Sequence, residues 1–325
     1  MFLIYMLLCF HISYGQNYRQ YYQIVDSAFY FYKTGENLKA DSLYQKAFDL
    51  FIGFPDDYTF AACNIYSIDR SKSNVYLGQA FKYGQNCGYV EFIFKNNSLN
   101  YSSKEIKKLS KKNKEKILKG TNNSKIVRMV IKDQFPRFFL QKKISRNDSI
   151  NFLKIKDMMI NDSLLFNRFY TGYRRNFFWD LILIHMSHRF DRFKEISPNY
   201  IRFIEKGWME RENFAYNIDI ITILNGHIIK IDEKTGIIVE LPEKNHYIMD
   251  DELFYSLSGN FSFYSSRLKK QVTVPIHPDM TPEMVDKFRR SIFLGSYEMY
   301  KKSHPHKLYP TIDEFKNIYN KRKTN

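Results

Sequence analysis

The chain has 325 residues, which is enough for about two domains of ordinary size. Hydrophobic residues make up 44% and charged residues 26%, the balance of an ordinary globular protein. With only 13 glycines and no glycine-rich phosphate-binding loop or nucleophile elbow, the sequence argues against nucleotide chemistry and predicts no cofactor. A net charge of +16 favours acidic partners.

The first fifteen residues are typical of a secretory signal peptide. The stretch from Phe2 to Phe10 is wholly apolar and too short to span a membrane, which takes about 20 residues. Ser13 and Gly15 then provide small residues at the −3 and −1 positions of a cleavage site before Gln16. We therefore expect an exported protein, periplasmic or extracellular, with no transmembrane segment in the mature chain; a buried N-terminal helix is the alternative.

The next segment has the spacing of a helix–turn–helix repeat of about 34 residues. Small residues stand where two helices would cross, aromatic residues stand between them, and a glycine stands in the turn: Ala28, Phe31, Gly35, Ala40, Tyr44 and Ala47. About 33 residues later the same positions hold Ala61, Ser73, Leu77 and Ala80. The pattern resembles the tetratricopeptide (TPR) repeat, and a third unit is hinted at from Gly88. The alternative is a plain pair of helical hairpins.

A repeat array this short rarely buries enough surface alone, so it should dock against something. Two partners remain open: the rest of this chain, or a peptide held on the concave face. Cys63 would lie inside the first helix of the second repeat and Cys87 just past its second helix. The offset is about 10 Å, too long for a disulfide, so we expect two free cysteines.

A strongly basic run follows the repeats. Residues 104–119 contain eight Lys against two Glu and lack the interleaved aromatics of a nucleic-acid platform. The run is either a solvated helix or linker, or a site for an anionic surface.

From Ile126 the pattern predicts a second, mostly helical domain. A helix that is apolar on nearly every side covers residues 177–186, and a helix pair turns around Gly207 and stops at Gly226. Two short strands flank a turn at Lys234–Gly236, and a later helix begins near Thr281. The expected fold class is mainly α: a short TPR-like array plus a helical domain with a small β-hairpin. The expected ranges are 1–15 signal peptide, 16–95 repeats, 96–125 basic linker or helix, and 126–325 helical domain.

Several motifs of this second region resemble an uncharacterised family of exported bacterial proteins, a domain of unknown function. The matching positions are Asp133, Gln134 and Arg137 (a DQxxR helix), His185, Ala215 with Asp219, Val274–Ile276, Val285, Asp286, Arg289 and Arg290. The resemblance spans roughly residues 126–300. Two family features differ: the usual Asp-Arg pair is Asp219–Ile220, and the glycine- and glutamine-rich loop is replaced by "NHYIMDDELFYSLSG". No activity is established for the family.

Two groups of charged or titratable residues are candidates for a functional role. Asp133 and Arg137 lie at i and i+4, which suits either a structural ion pair or an arginine held for an anionic ligand. His185, His188 and Asp191 lie at i, i+3 and i+6, a spacing that strains three ligands on one ion, so no metal site is predicted. His185 alone is either a core histidine or a general base.

The sequence therefore predicts a binding or scaffold module with a protein or peptide partner. The alternative is a hydrolase-like or ligand-sensing pocket built from Asp133, Arg137, His185, Asp219 and Arg290. A secreted toxin or immunity component is a third hypothesis, which the sequence neither supports nor excludes.

Overall fold

A computed structural model describes residues 18–113, 128–134, 144–173, 179, 190–225, 229–231, 238–240, 255–265, 268–276, 278 and 280–323. Its α-helices are α1 Tyr18–Lys33, α2 Asn37–Leu50, α3 Pro55–Ile65, α4 Arg70–Lys82, α5 Cys87–Asn96, α6 Ser103–Lys112, α7 Ile144–Asn161, α8 Arg168–Thr171, α9 Phe190–Glu205, α10 Arg211–Asn225, α11 Pro282–Ser291, α12 Tyr297–Ser303 and α13 Ile312–Lys323. A 3-10 helix covers Ser163–Phe166. The strands are β1 Ile229–Ile231, β2 Ile238–Glu240, β3 Ser262–Ser265, β4 Lys270–Thr273 and β5 Lys307–Leu308. The predicted mainly α class is confirmed.

The chain divides into two compact units that are discontinuous in sequence. The first takes the chain up to Ile131 together with Asn161–Trp179 and Glu205–Met209. The second takes Lys132–Ile160, Asp180–Ile204 and the chain from Glu210. The contiguous domain ranges expected from the sequence stay a prediction.

Helical hairpins build the first unit. Gly35, at a φ of +86°, makes the turn between α1 and α2. Ala28, Ala40, Tyr44 and Ala47 are fully buried where these two helices pack, as their spacing predicts. Small side chains at these positions allow close approach of the two backbones.

Helices α3 and α4 form the second hairpin, α5 and α6 form the third, and three of these four helices begin at a side-chain cap. Asp69 caps α4 by accepting a hydrogen bond from the backbone of Lys72, and Asn86 caps α5. Ser102 and Glu105 form a capping box at the start of α6. The third helical unit hinted at in the sequence is therefore a hairpin of α5 and α6, and its identity as a TPR repeat stays a prediction.

Arg168, from the later part of the chain, completes the first unit. Its buried guanidinium donates to the carbonyls of Ile52 (2.8 Å), Gly53 (2.9 Å) and Gly207 (2.7 Å). Gly207 lies in the predicted turn at a φ of +63°, and a Cβ there would lie 2.1 Å from the ring of Tyr18. Glycine is therefore required for this packing.

Two small sheets belong to the second unit. β1 and β2 pair antiparallel, with Lys230 opposite Val239, so the predicted hairpin strands are confirmed; their turn lies outside the described residues. A second sheet was not predicted: β3 pairs antiparallel with β4, and β4 pairs parallel with β5. Its core contains Val272, Val274 and Phe315.

Candidate functional site

Asp219 is held in a cage of five hydrogen bonds. One carboxylate oxygen accepts from the backbone amides of Leu257 (2.9 Å) and Ser258 (3.0 Å). The other accepts from the hydroxyls of Ser256 (2.8 Å) and Ser258 (2.7 Å) and from the amide of Phe261 (3.1 Å). Asp219 is fully buried on α10. A carboxylate with this many donors and no exposure anchors a loop and is unsuited to proton transfer with a ligand.

The arginine that meets the same loop is Arg289, and its neighbour Arg290 is exposed. Arg289 is buried and donates to the carbonyl of Ser258, to Asn260 Oδ1 (3.1 Å) and to the carbonyl of Gly295 (2.7 Å). Asp219 and Arg289 thus converge on Ser258 and fix residues 256–261 from two helices. Arg290, the member of the predicted pocket, does not join them.

Of the other three predicted pocket residues, one is buried and two lie outside the described residues. Asp133 is buried and accepts from Asn151 Nδ2 (3.1 Å) and from Gln134 Nε2 (2.8 Å). Arg137 and His185 lie outside the described residues, as do His188 and the side chain of Asp191. The described members therefore give two sealed carboxylates and one surface arginine.

A lysine–tyrosine pair lies beside Arg289. Lys307 Nζ donates to Tyr300 Oη at 2.7 Å, and the Arg289 guanidinium lies 4.9 Å from the centre of the Tyr300 ring. Burial and the nearby Arg289 charge lower the pKa of Lys307 to about 8. Burial also raises the pKa of the Tyr300 hydroxyl well above its usual value, so Tyr300 stays protonated.

A groove opens on the third hairpin of the first unit, and we call it the α5–α6 groove. Its volume is about 940 Å³, and its walls come from α5, the connection after it and the start of α6. The lining side chains that matter here are Glu91, Phe92, Lys95, Leu99, Tyr101 and Glu105. Phe92 is 58% exposed, although its neighbours Val90 and Phe94 on the opposite face of α5 are buried. An exposed aromatic ring inside a groove is the kind of side chain that anchors a partner at an interface.

The charged groups of the groove differ in how they are satisfied. Glu105 accepts hydrogen bonds from Ser102 and pairs with Arg70 at 2.7 Å. These hydrogen bonds and the Arg70 charge lower the pKa of the Glu105 carboxyl. Glu91 Oε1, in contrast, is buried with no hydrogen-bond partner among the described residues. Glu91 is therefore the groove carboxylate left with unused acceptor capacity.

α6 carries the described part of the basic run. Ile106 is its buried residue, and the lysines on its other faces are exposed: Lys104, Lys107, Lys108, Lys111 and Lys112. Within the described residues none of these lysines forms an ion pair closer than 4.0 Å. A basic face of this kind can meet an anionic surface, and contact through residues 104–119 stays a prediction.

Cys63 and Cys87 are both free, as expected. Burial raises the pKa of the Cys63 thiol well above its usual value, so this cysteine is unreactive. Among the described residues, no group of three or more His, Cys, Asp or Glu is arranged to hold a metal ion.

Comparison of the chain with protein-family models, with curated proteins and with solved structures returns no match. In the described part of the chain, no helix is long and apolar enough to cross a membrane.

Proposed function

We propose that the chain is an exported partner-binding protein whose first unit holds a segment of another protein in the α5–α6 groove. The observation that carries this proposal is the exposed Phe92 ring on the wall of a groove of about 940 Å³. Arrays of helical hairpins commonly bind protein segments on surfaces left open by their stacking. Grooves with an exposed aromatic anchor are typical contact points for peptide ligands.

The described part of the second unit favours the same conclusion. Asp133 and Asp219 are buried and accept hydrogen bonds from neighbouring protein groups, which suits structural carboxylates better than catalytic ones. The hydrolase-like or ligand-sensing pocket remains the alternative, because two of its members, Arg137 and His185, lie outside the described residues. A toxin or immunity component gains no support from the described contacts.

The proposal is tested with displayed libraries of short random peptides, selected on the full-length protein. We expect wild type to enrich binders and Phe92→Asp to lose them, because the charge replaces the apolar anchor. Leu38→Asp is the matched control, since Leu38 is 69% exposed on α2 and lies outside the groove. Circular dichroism and thermal melting check that both variants fold. Equal enrichment on wild type and on folded Phe92→Asp would overturn the proposed groove.

Export is a separate part of the proposal. It is supported by the apolar stretch Phe2–Phe10 and by Ser13 and Gly15 before the expected cleavage site. Intact-mass measurement of protein recovered outside the cytoplasm should give a chain that begins at or near Gln16. A retained Met1 would contradict the signal-peptide assignment.

A further inference from the structure

Glu91 and Phe92 are adjacent on α5, and both line the α5–α6 groove. Phe92 offers an apolar contact, because 58% of its surface is exposed. Glu91 offers a carboxylate whose Oε1 is buried and accepts no hydrogen bond within the described residues. The two side chains give the groove one apolar and one anionic member.

Neighbouring charges leave Glu91 uncompensated. Lys95 stands one helical turn further along α5, at the spacing that permits an ion pair, yet no pair forms between them. Arg70 is engaged with Glu105 on the other wall of the groove. Within the described residues, no cation lies within ion-pair distance of Glu91.

The chemistry that satisfies such a group is a charged donor. An ionised carboxylate forms its strongest hydrogen bonds with ammonium and guanidinium groups. The side chains that carry these groups also have apolar stems, and an arginine can stack on an aromatic ring. Because Phe92 and Glu91 both line the groove, a lysine or arginine side chain lying in it can pack its stem on the ring and direct its charge toward the Glu91 carboxylate.

We propose that the groove selects a partner segment that carries a lysine or arginine, and that Glu91 is the residue that recognises this cation. The proposal rests on the proposed function, since it names the chemistry of the ligand for the same groove. The chain's net charge of +16 repels basic segments at long range. Selection of a basic segment therefore comes from the short-range contact between its cation and Glu91, which salt screens less than the long-range repulsion.

The test uses two displayed peptide libraries at physiological salt. One excludes Lys and Arg at every random position, and the other excludes Asp and Glu. We expect binders that depend on Phe92 to come from the library that contains Lys and Arg. In a selected peptide, replacing the cation by norleucine should weaken wild-type binding by about fivefold or more. The same replacement should change binding to Glu91→Gln by less than about twofold, since the charged acceptor is gone.

Controls distinguish a failure of the cation proposal from a failure of the proposed function. Glu36→Gln removes an exposed carboxylate outside the groove and should leave the cation preference intact. Phe92-dependent binders that come equally from the library without Lys and Arg would overturn the cation proposal and leave the proposed function standing. If neither library gives Phe92-dependent binders, the proposed function is overturned, and the cation proposal is overturned with it.

Discussion

Five hydrogen bonds converge on the side chain of Asp219. Asp219→Asn keeps the shape but turns one acceptor into a donor, which then faces hydroxyl and amide donors. We expect a loss of about 3–5 kcal/mol in the free energy of unfolding, measured by urea denaturation. The control Asp313→Asn changes an exposed residue in the first turn of α13 and should cost less than about 1 kcal/mol. A melt of Asp219→Asn that matches wild type would contradict the structural role.

The sequence places Asp219 and Arg290 in the candidate pocket, whereas the arginine that contacts the same loop as Asp219 is Arg289. On α11 the buried positions Val285, Phe288 and Arg289 follow helical spacing, and this pattern turns Arg289 inward and Arg290 outward. Applying the periodicity to the two arginines would have identified Arg289. The loop 256–261 that both residues hold carries no signal that sequence alone can read, because its contacts come from distant parts of the chain.

Lys307 yields a prediction about pH. Burial lowers its pKa from 10.5 in the unfolded chain to about 8 in the folded protein. Between these two values the unfolded chain binds more protons, so the free energy of unfolding rises with pH through this window. Relative to Lys307→Met, wild type should therefore gain about 1–3 kcal/mol between a pH of about 8 and a pH of about 10.5.

Urea denaturation of both proteins at several pH values measures this difference. Lys302→Met is the control, because Lys302 is exposed on α12, and its difference from wild type should stay flat across the window. Parallel stability curves for wild type and Lys307→Met would contradict the burial of a titrating amine at this position.

At the scale of elements, the packing between α1 and α2 depends on small side chains. Ala40 and Ala47 are fully buried on α2. Ala40→Leu and Ala47→Leu should each overpack the helix contact and lower the free energy of unfolding by about 1–3 kcal/mol. Lys46→Ala, an exposed change on the same helix, should stay within about 0.5 kcal/mol of wild type. Thermal melts that do not distinguish the three variants would refute the close helix packing.

Helices were more readily predicted than strands, for a physical reason. The stripe of Tyr21, Val25 and Ala28 along α1 repeats over several turns and is visible in the sequence. β3 and β4 have four residues each and β5 has two, so none shows a sustained alternation. The parallel pairing of β4 with β5 joins segments separated by α11 and α12, and such long-range pairing leaves no local pattern.

For the molecule as a whole, the sequence predicts the mainly α class but not the discontinuous units. Arg168 shows why: its three carbonyl partners lie at Ile52, Gly53 and Gly207, far apart in sequence. The α5–α6 groove was missed for a similar reason. In the sequence Glu91 and Phe92 look like ordinary surface positions of a helix. Only the fold shows that both line a groove and that Glu91 Oε1 accepts no hydrogen bond from the described residues.

Hydrogen–deuterium exchange of the full-length protein, with and without a library-selected peptide, tests most directly whether the first unit is the binding module. We expect the peptide to slow exchange in α5, in the connection 97–102 and at the start of α6. Exchange should stay unchanged in α10, in residues 256–261 and in α11, where Asp219 and Arg289 have structural roles. Protection confined to those second-unit segments, with the groove unchanged, would contradict peptide binding in the α5–α6 groove and favour the alternative pocket.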